Sequence, residues 1–193
     1  MNIVQDGWKI GGFHRGLVRD NVDPKKQGRI KVCVPTLFEG IDSQYLPWAV
    51  PAMPFSFGGG AGSGTGCFCV PDIDTTVWVF FEGEDYNQPV YFAAAPDGVH
   101  GLPSDKDTNY PYRRVVKTAS GIVLYVDDAD KEAKLLHPTG KYVKMDGSGN
   151  VTVNGANINL TASGSITVNA SGSITVNADG SITISGSQVD INP

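Results

Sequence analysis

The sequence predicts an all-β protein, a small N-terminal barrel followed by a C-terminal β-prism wound from three chains. Three observations carry that expectation. Short alternating stretches separated by turn residues fill the first half, and no segment of comparable length shows a 3.6-residue period. After Asp146 an eight-residue repeat takes over.

Phe13 to Val18 reads as a first strand, and Asp20-Asn21-Val22-Asp23-Pro24 as a polar connection with a proline-set turn. Gly28 then opens Arg29-Ile30-Lys31-Val32-Cys33-Val34, which alternates with period two. Ile30, Val32 and Val34 share one face, and Arg29, Lys31 and Cys33 the other. Further strands are expected at Tyr45 to Val50, Gly66 to Val70, Thr75 to Phe81 and Pro89 to Ala94. Five or six short strands with a single apolar face make a small closed or partly closed barrel over residues 1–95. Phe57 to Gly66 is rich in glycine, but no Lys-Ser or Lys-Thr and no helix follows. It reads as a loop, not a phosphate cradle.

Pro96 to Pro111 is polar and proline-marked, so residues 96–119 read as a connector. Ser120 to Val126 and Tyr142 to Met145 are strand-like and form a neck over 120–146. Between them, Asp127-Asp128-Ala129-Asp130-Lys131-Glu132 reads as a solvated, charged hairpin tip. It lacks the glycine and glutamate spacing of a calcium loop.

Residues 147–193 carry the octads. Gly164-Ser165-Ile166-Thr167-Val168 returns as Gly172-Ser173-Ile174-Thr175-Val176 and as Gly180-Ser181-Ile182-Thr183-Ile184. Ile158 and Leu160 extend the register upstream, while Val151 with Val153, and Val189 with Ile191, fit after a slip of one residue. Each apolar pair is spaced by two, giving a short strand with one dry face, and Gly-Ser supplies the bend. Eight residues do not circle a filled core alone, since single-chain solenoids spend about 20 or more residues per repeat. Three chains together supply enough, and winding them removes exposed strand edges. The expected trimer core is therefore Val151, Val153, Ile158, Leu160, Ile166, Val168, Ile174, Val176, Ile182 and Ile184. A disordered tail does not require β-branched residues at fixed intervals, and the preceding barrel disfavours an amyloid-like repeat.

Composition narrows the function. A formal charge of −5 and scattered Lys and Arg do not suit a phosphate-gripping surface, so no nucleic acid is expected. No run of ~20 apolar residues is present, and Met1 to Ile10 lacks the pattern of a secretory signal, so synthesis in the cytoplasm is expected. Cys33, Cys67 and Cys69 do not make a disulfide framework. Cys67 and Cys69 would share one strand face, and the three are expected as small buried hydrophobes. No cofactor or metal is expected.

The stretch Gly16-Leu17-Val18-Arg19-Asp20-Asn21-Val22-Asp23-Pro24-Lys25-Lys26-Gln27-Gly28-Arg29-Ile30-Lys31-Val32 resembles the start of the OB domain in phage baseplate spike proteins. Leu46-Pro47-Trp48, Val70-Pro71, Phe80-Phe81-Glu82-Gly83-Glu84-Asp85 and Gln88-Pro89-Val90-Tyr91 are similar to the same domain further on. Ser120-Gly121-Ile122, Asp127-Asp128 and His137-Pro138-Thr139-Gly140 resemble the neck that enters the β-helix of these proteins. The family comprises phage central spike and hub proteins, with baseplate assembly protein V, and the VgrG spikes of type VI secretion. The resemblance implies an OB-fold barrel followed by a trimeric intertwined β-helix. It implies a non-enzymatic, membrane-piercing role on sheath contraction, in the virion tail baseplate or a related machine.

As partners the resemblance implies two further copies of the chain, hub and tail tube proteins through the OB domain, and transient contact with the target outer membrane. Some members insert a lysozyme domain between barrel and helix, for which residues 96–119 have no room. Others end in a His-x-His iron site, whereas this chain ends Gln188-Val189-Asp190-Ile191-Asn192-Pro193. A blunt apolar end at Val189, Ile191 and Pro193 implies a separate PAAR-like tip protein. The competing readings are another trimeric β-helical adhesin, an OB-fold binding module and a polysaccharide-degrading tailspike. The last needs paired acids on a broad face, and residues 147–193 hold only Asp179 and Asp190.

Overall fold

The computed structural model describes residues 10–53, 68–98 and 101–191. Five strands close into a barrel: β1 (His14–Asp20), β2 (Ile30–Cys33), β3 (Trp48–Pro51), β4 (Thr76–Phe81) and β5 (Pro89–Ala94), in the order β1-β2-β3-β5-β4. β4 pairs antiparallel with both β1 and β5, and β3 runs parallel to β5. The interior is filled by the alternate residues of each strand, among them Val18, Ile30, Val32, Val34, Val77, Val79 and Phe81. Gly16 takes an inward position because no side chain fits there: a Cβ would lie 2.2 Å from Val32 Cγ1. One turn of helix, α1 (Pro35–Phe38), follows β2 and sets Phe38 edge-on against Phe81 and Tyr86.

Two polar devices fix the β1–β2 connection. The Asp23 carboxylate accepts hydrogen bonds from the backbone N–H groups of Lys25, Gln27 and Arg29 and from the Arg29 guanidinium, at 2.6 Å for the shortest. The Arg29 bond, reinforced by the backbone donors, overcomes burial and holds this carboxyl well below the usual range. At the strand entrance, the buried Tyr91 hydroxyl donates to the Gly28 carbonyl at 2.6 Å. Gly28 has φ +75°, which suits a residue without a Cβ.

A second, five-stranded sheet follows. Its strands are β6 (Arg113–Lys117), β7 (Val123–Asp127), β8 (Glu132–Leu136), β9 (Tyr142–Met145) and β10 (Val151–Asn154), an antiparallel meander in chain order. Three of its four hairpins repeat one turn. The first residue donates to the fifth carbonyl (Thr118 to Ile122, His137 to Lys141, Asp146 to Asn150), and the fourth residue is a left-handed glycine, Gly121, Gly140 or Gly149. The β7–β8 hairpin is one residue longer, with Asp127 paired to Glu132, and its left-handed residue is Lys131 at φ +51°.

Several expectations need correction. The strand expected at Tyr45 to Val50 begins at Trp48, because Ser43–Tyr45 form a 3-10 turn capped by the Asp42 carboxylate. Phe68 to Val70 form no strand, and the rest of the expected 66–70 strand, like the glycine-rich loop and Cys67, lies outside the described residues. Cys69 is exposed, not buried: it sits in this unpaired segment, where its neighbour Val70 is the residue that packs against the core. Residues 113–117, read as connector, are the first strand of the second sheet, and Val151 with Val153 belong to its last strand. Their one-residue slip from the octad register follows from that. Asp127 is not a solvated tip residue: it is 1% exposed.

Candidate assembly surface

The register of the second sheet sorts its side chains into two unlike faces. On one face, pairing aligns Val116, Leu124, Leu135, Val143 and Val153 in a single row across all five strands. A second row on the same face runs Arg114, Val126, Ala133, Met145, Val151. Every side chain of the first row is 47–65% exposed. A continuous apolar stripe of this kind marks an interaction surface, because each Val or Leu gains about 1.5–3 kcal/mol on full burial.

The opposite face carries the charges and rings, and they pack on one another. Arg113 lies 4.2 Å over the Tyr125 ring and donates through Nε to Asp127 at 2.6 Å. The Tyr125 hydroxyl donates to Glu132, which also meets Lys144 at 3.4 Å, and Lys134 lies 4.5 Å over Tyr142. Burial alone would raise the Asp127 carboxyl, but Arg113, Asn109 and the Asp130 N–H hold it at about 2. Burial, with the bond to Glu132, pushes the Tyr125 hydroxyl up to about 12.

The octad residues sit differently. Ile158, Leu160, Ile166, Val168, Ile174, Val176, Ile182 and Ile184 are 53–75% exposed, and residues 155–191 form no strand pairing within the chain. Val189 and Ile191 are likewise exposed, while Pro193 lies outside the described residues. Ile158 joins Leu135, Val143 and Val153 in lining a groove of about 390 Å³. The first octad thus continues the apolar face of the sheet. Sequence reading missed Val116, Leu124, Val126, Leu135, Val143 and Met145 as members of this surface. Their alternation was visible, but the partner strands β6 and β8 that align them were not.

On the barrel, the outer face of β2 and β3, where OB folds bind oligonucleotides and sugars, holds Trp48 between Arg29 and Lys31 at 5.3 and 5.2 Å. Both cations are engaged, Arg29 by Asp23 and Lys31 by the Gln44 carbonyl at 2.8 Å. A second exposed group lies on the outside of β1, β4 and β5. Phe13 packs edge-on against Phe80 and Phe92, and Arg15 lies 5.0 Å over Trp78.

Closure of the barrel through β1 and β4, with β3 parallel to β5, defines an OB-type domain. Residues 14–95 match the type VI secretion system/phage-baseplate injector OB domain, and this segment is a domain of that family, in line with a baseplate spike or hub. A comparison with curated proteins finds no match. The family match supports a structural role in a baseplate, which for a phage protein lies in the virion tail.

Proposed function

We propose that the chain is the central spike of a contractile injection machine, a homotrimer that pierces the target outer membrane when the sheath contracts. The observation that carries this reading is the apolar row from Val116 to Val153, exposed in one chain and extended by Ile158 into the octad repeat. Three such faces turned toward a common axis bury one another, and three octad strands close each turn of a thin prism. The charged face and the Thr, Asn and Ser of the octads then face outward. No strand of such a shaft peels away without breaking hydrogen bonds to its neighbours, which supplies the stiffness that force transmission needs.

In this reading the barrel stays in the baseplate and meets hub and tube proteins. The Phe13, Phe80, Phe92, Trp78 and Arg15 group is the barrel surface whose composition best suits such a contact. At the other end, Val189 and Ile191 receive a separate PAAR-like tip protein. The function is mechanical, with no catalytic step.

The test is absolute mass in solution by light scattering, on the full chain and on one ending at Asp146. Three chains at full length, with assembly weakened by the truncation, is the expected result. A full-length monomer would overturn the spike.

A further inference from the structure

At its β6 edge the charged face of the second sheet is covered. Its cover is the segment just before β6, a 3-10 turn at Ser104–Asn109 that lies against that strand. Two pins hold it. Asp105 meets Lys117, the last residue of β6, at 2.7 Å. At the other end of β6, the Asn109 amide donates to Asp127 at 2.8 Å and to Asp130 at 2.7 Å, sharing both carboxylates with Arg113. The chain therefore doubles back along β6, with Asp105 opposite Lys117 and Asn109 opposite Arg113. Further bonds from the Tyr112 N–H to the Asn109 carbonyl and from the Asp128 N–H to the Tyr112 carbonyl fix the return.

We infer that residues 104–112 are a latch fastened to the sheet by side chains, with Asn109 as its key positioning residue. The latch anchors the end of the connector to the second sheet, so that the free connection to the barrel is shortened to the residues before Ser104. The distribution of bonds carries this assignment. Every side-chain pin joins the segment to the sheet, and none of those described joins it to the barrel. Released, the segment would leave both the barrel and the meander with their own hydrogen bonds intact. Resting on the spike reading, the latch is where axial load from the barrel enters the shaft, at its first strand.

The experiment is limited trypsin digestion of the full-length protein, following cleavage after Lys106 by intact mass, with cleavage after Lys26 in the barrel as internal control. Asn109→Ala removes both bonds to carboxylate at the key. It should raise the rate after Lys106 about tenfold, since cleavage follows the open population, while leaving the rate after Lys26 unchanged. Asp105→Asn, which leaves the buried Asp127 site untouched, should raise it about threefold, with the control again unchanged. Unchanged rates after Lys106 in both variants would overturn the latch. So would a parallel rise at both sites, which marks general unfolding. Solution mass read on the same samples separates the two proposals: a wild-type monomer sinks the spike and leaves the digestion result to decide the latch.

Discussion

Gly16 faces the barrel interior between Val32, Val79 and Val34, with Val32 Cγ1 only 2.2 Å from the place a Cβ would take. Gly16→Ala must push β1 away from β2, and a cost of about 1–3 kcal/mol in denaturant unfolding is expected for such overpacking. The hairpin turns of the second sheet give a pair of opposite sign. Gly140 is left-handed at φ +81°, so Gly140→Ala should cost about 1 kcal/mol. Lys131 is the left-handed residue of the longer β7–β8 turn at φ +51°, so Lys131→Gly should gain about 0.5 kcal/mol, strain relief exceeding the added chain entropy. Denaturant melts of both variants check the pair, and equal signs would show that left-handed strain does not set the cost at these positions. Asp20, Asp23 and Pro24 marked the β1–β2 turn in the sequence. The closing of Asp23 on Arg29 depends on the fold of that loop, which pattern alone does not specify.

Among elements, the meander depends most on the Arg113–Asp127 pair, whose side chains are 10% and 0% exposed. Arg113→Met leaves a buried carboxylate with only Asn109 and backbone donors. The sheet should then melt at the lowest temperature of any single variant named above. The pH dependence follows from the same pair. Asp127 is held at about 2 when folded, against 3.8 for the free group, so the folded state releases this proton more readily than the unfolded chain does. Its contribution is fully present above pH 4 and is lost as pH falls toward 2, and a thermal melt series from pH 5 to pH 2 should show that decline. At the alkaline end, burial pushes both Tyr91 in the barrel and Tyr125 in the sheet up to about 12, against 10.0 for the free group. The unfolded chain loses these protons first, so both elements should lose stability between pH 10 and 12. Strands β4, β5 and β9 were legible as alternating runs of Val, Phe, Tyr and Met. β6 and β8 were not: residues 113–117 fell in the expected connector and Glu132 in the expected hairpin tip, because charged residues fill the packed face of these strands.

At the scale of the whole molecule, the decisive feature is an apolar row that stays about half exposed among the described residues. Leu135→Lys, at the centre of the exposed row, should abolish assembly while leaving the barrel folded, read by solution mass and by circular dichroism of residues 10–98 against the full chain. Ile174→Asp tests the octads separately. Three carboxylates would meet near the axis without partners, and the mass should drop below three chains. A heat-resistant trimer of Ile174→Asp would show that the apolar pairs do not point inward.

The sequence by itself determined the all-β class, the apolar interior of β2 and β4 and the period of the octads, since each follows from local alternation or repetition. Only the tertiary structure decided how those pieces join. Closure of β1 on β4, the alignment of five apolar side chains across β6 to β10, and the latching of 104–112 over Asp127 all depend on which distant residues meet. Register is fixed by hairpin turn geometry and long-range pairing, and a period of two reads the same for either face of a strand. The alternation therefore announced two faces of the second sheet. It took the fold to show that the charged one packs on itself and the apolar one lies open.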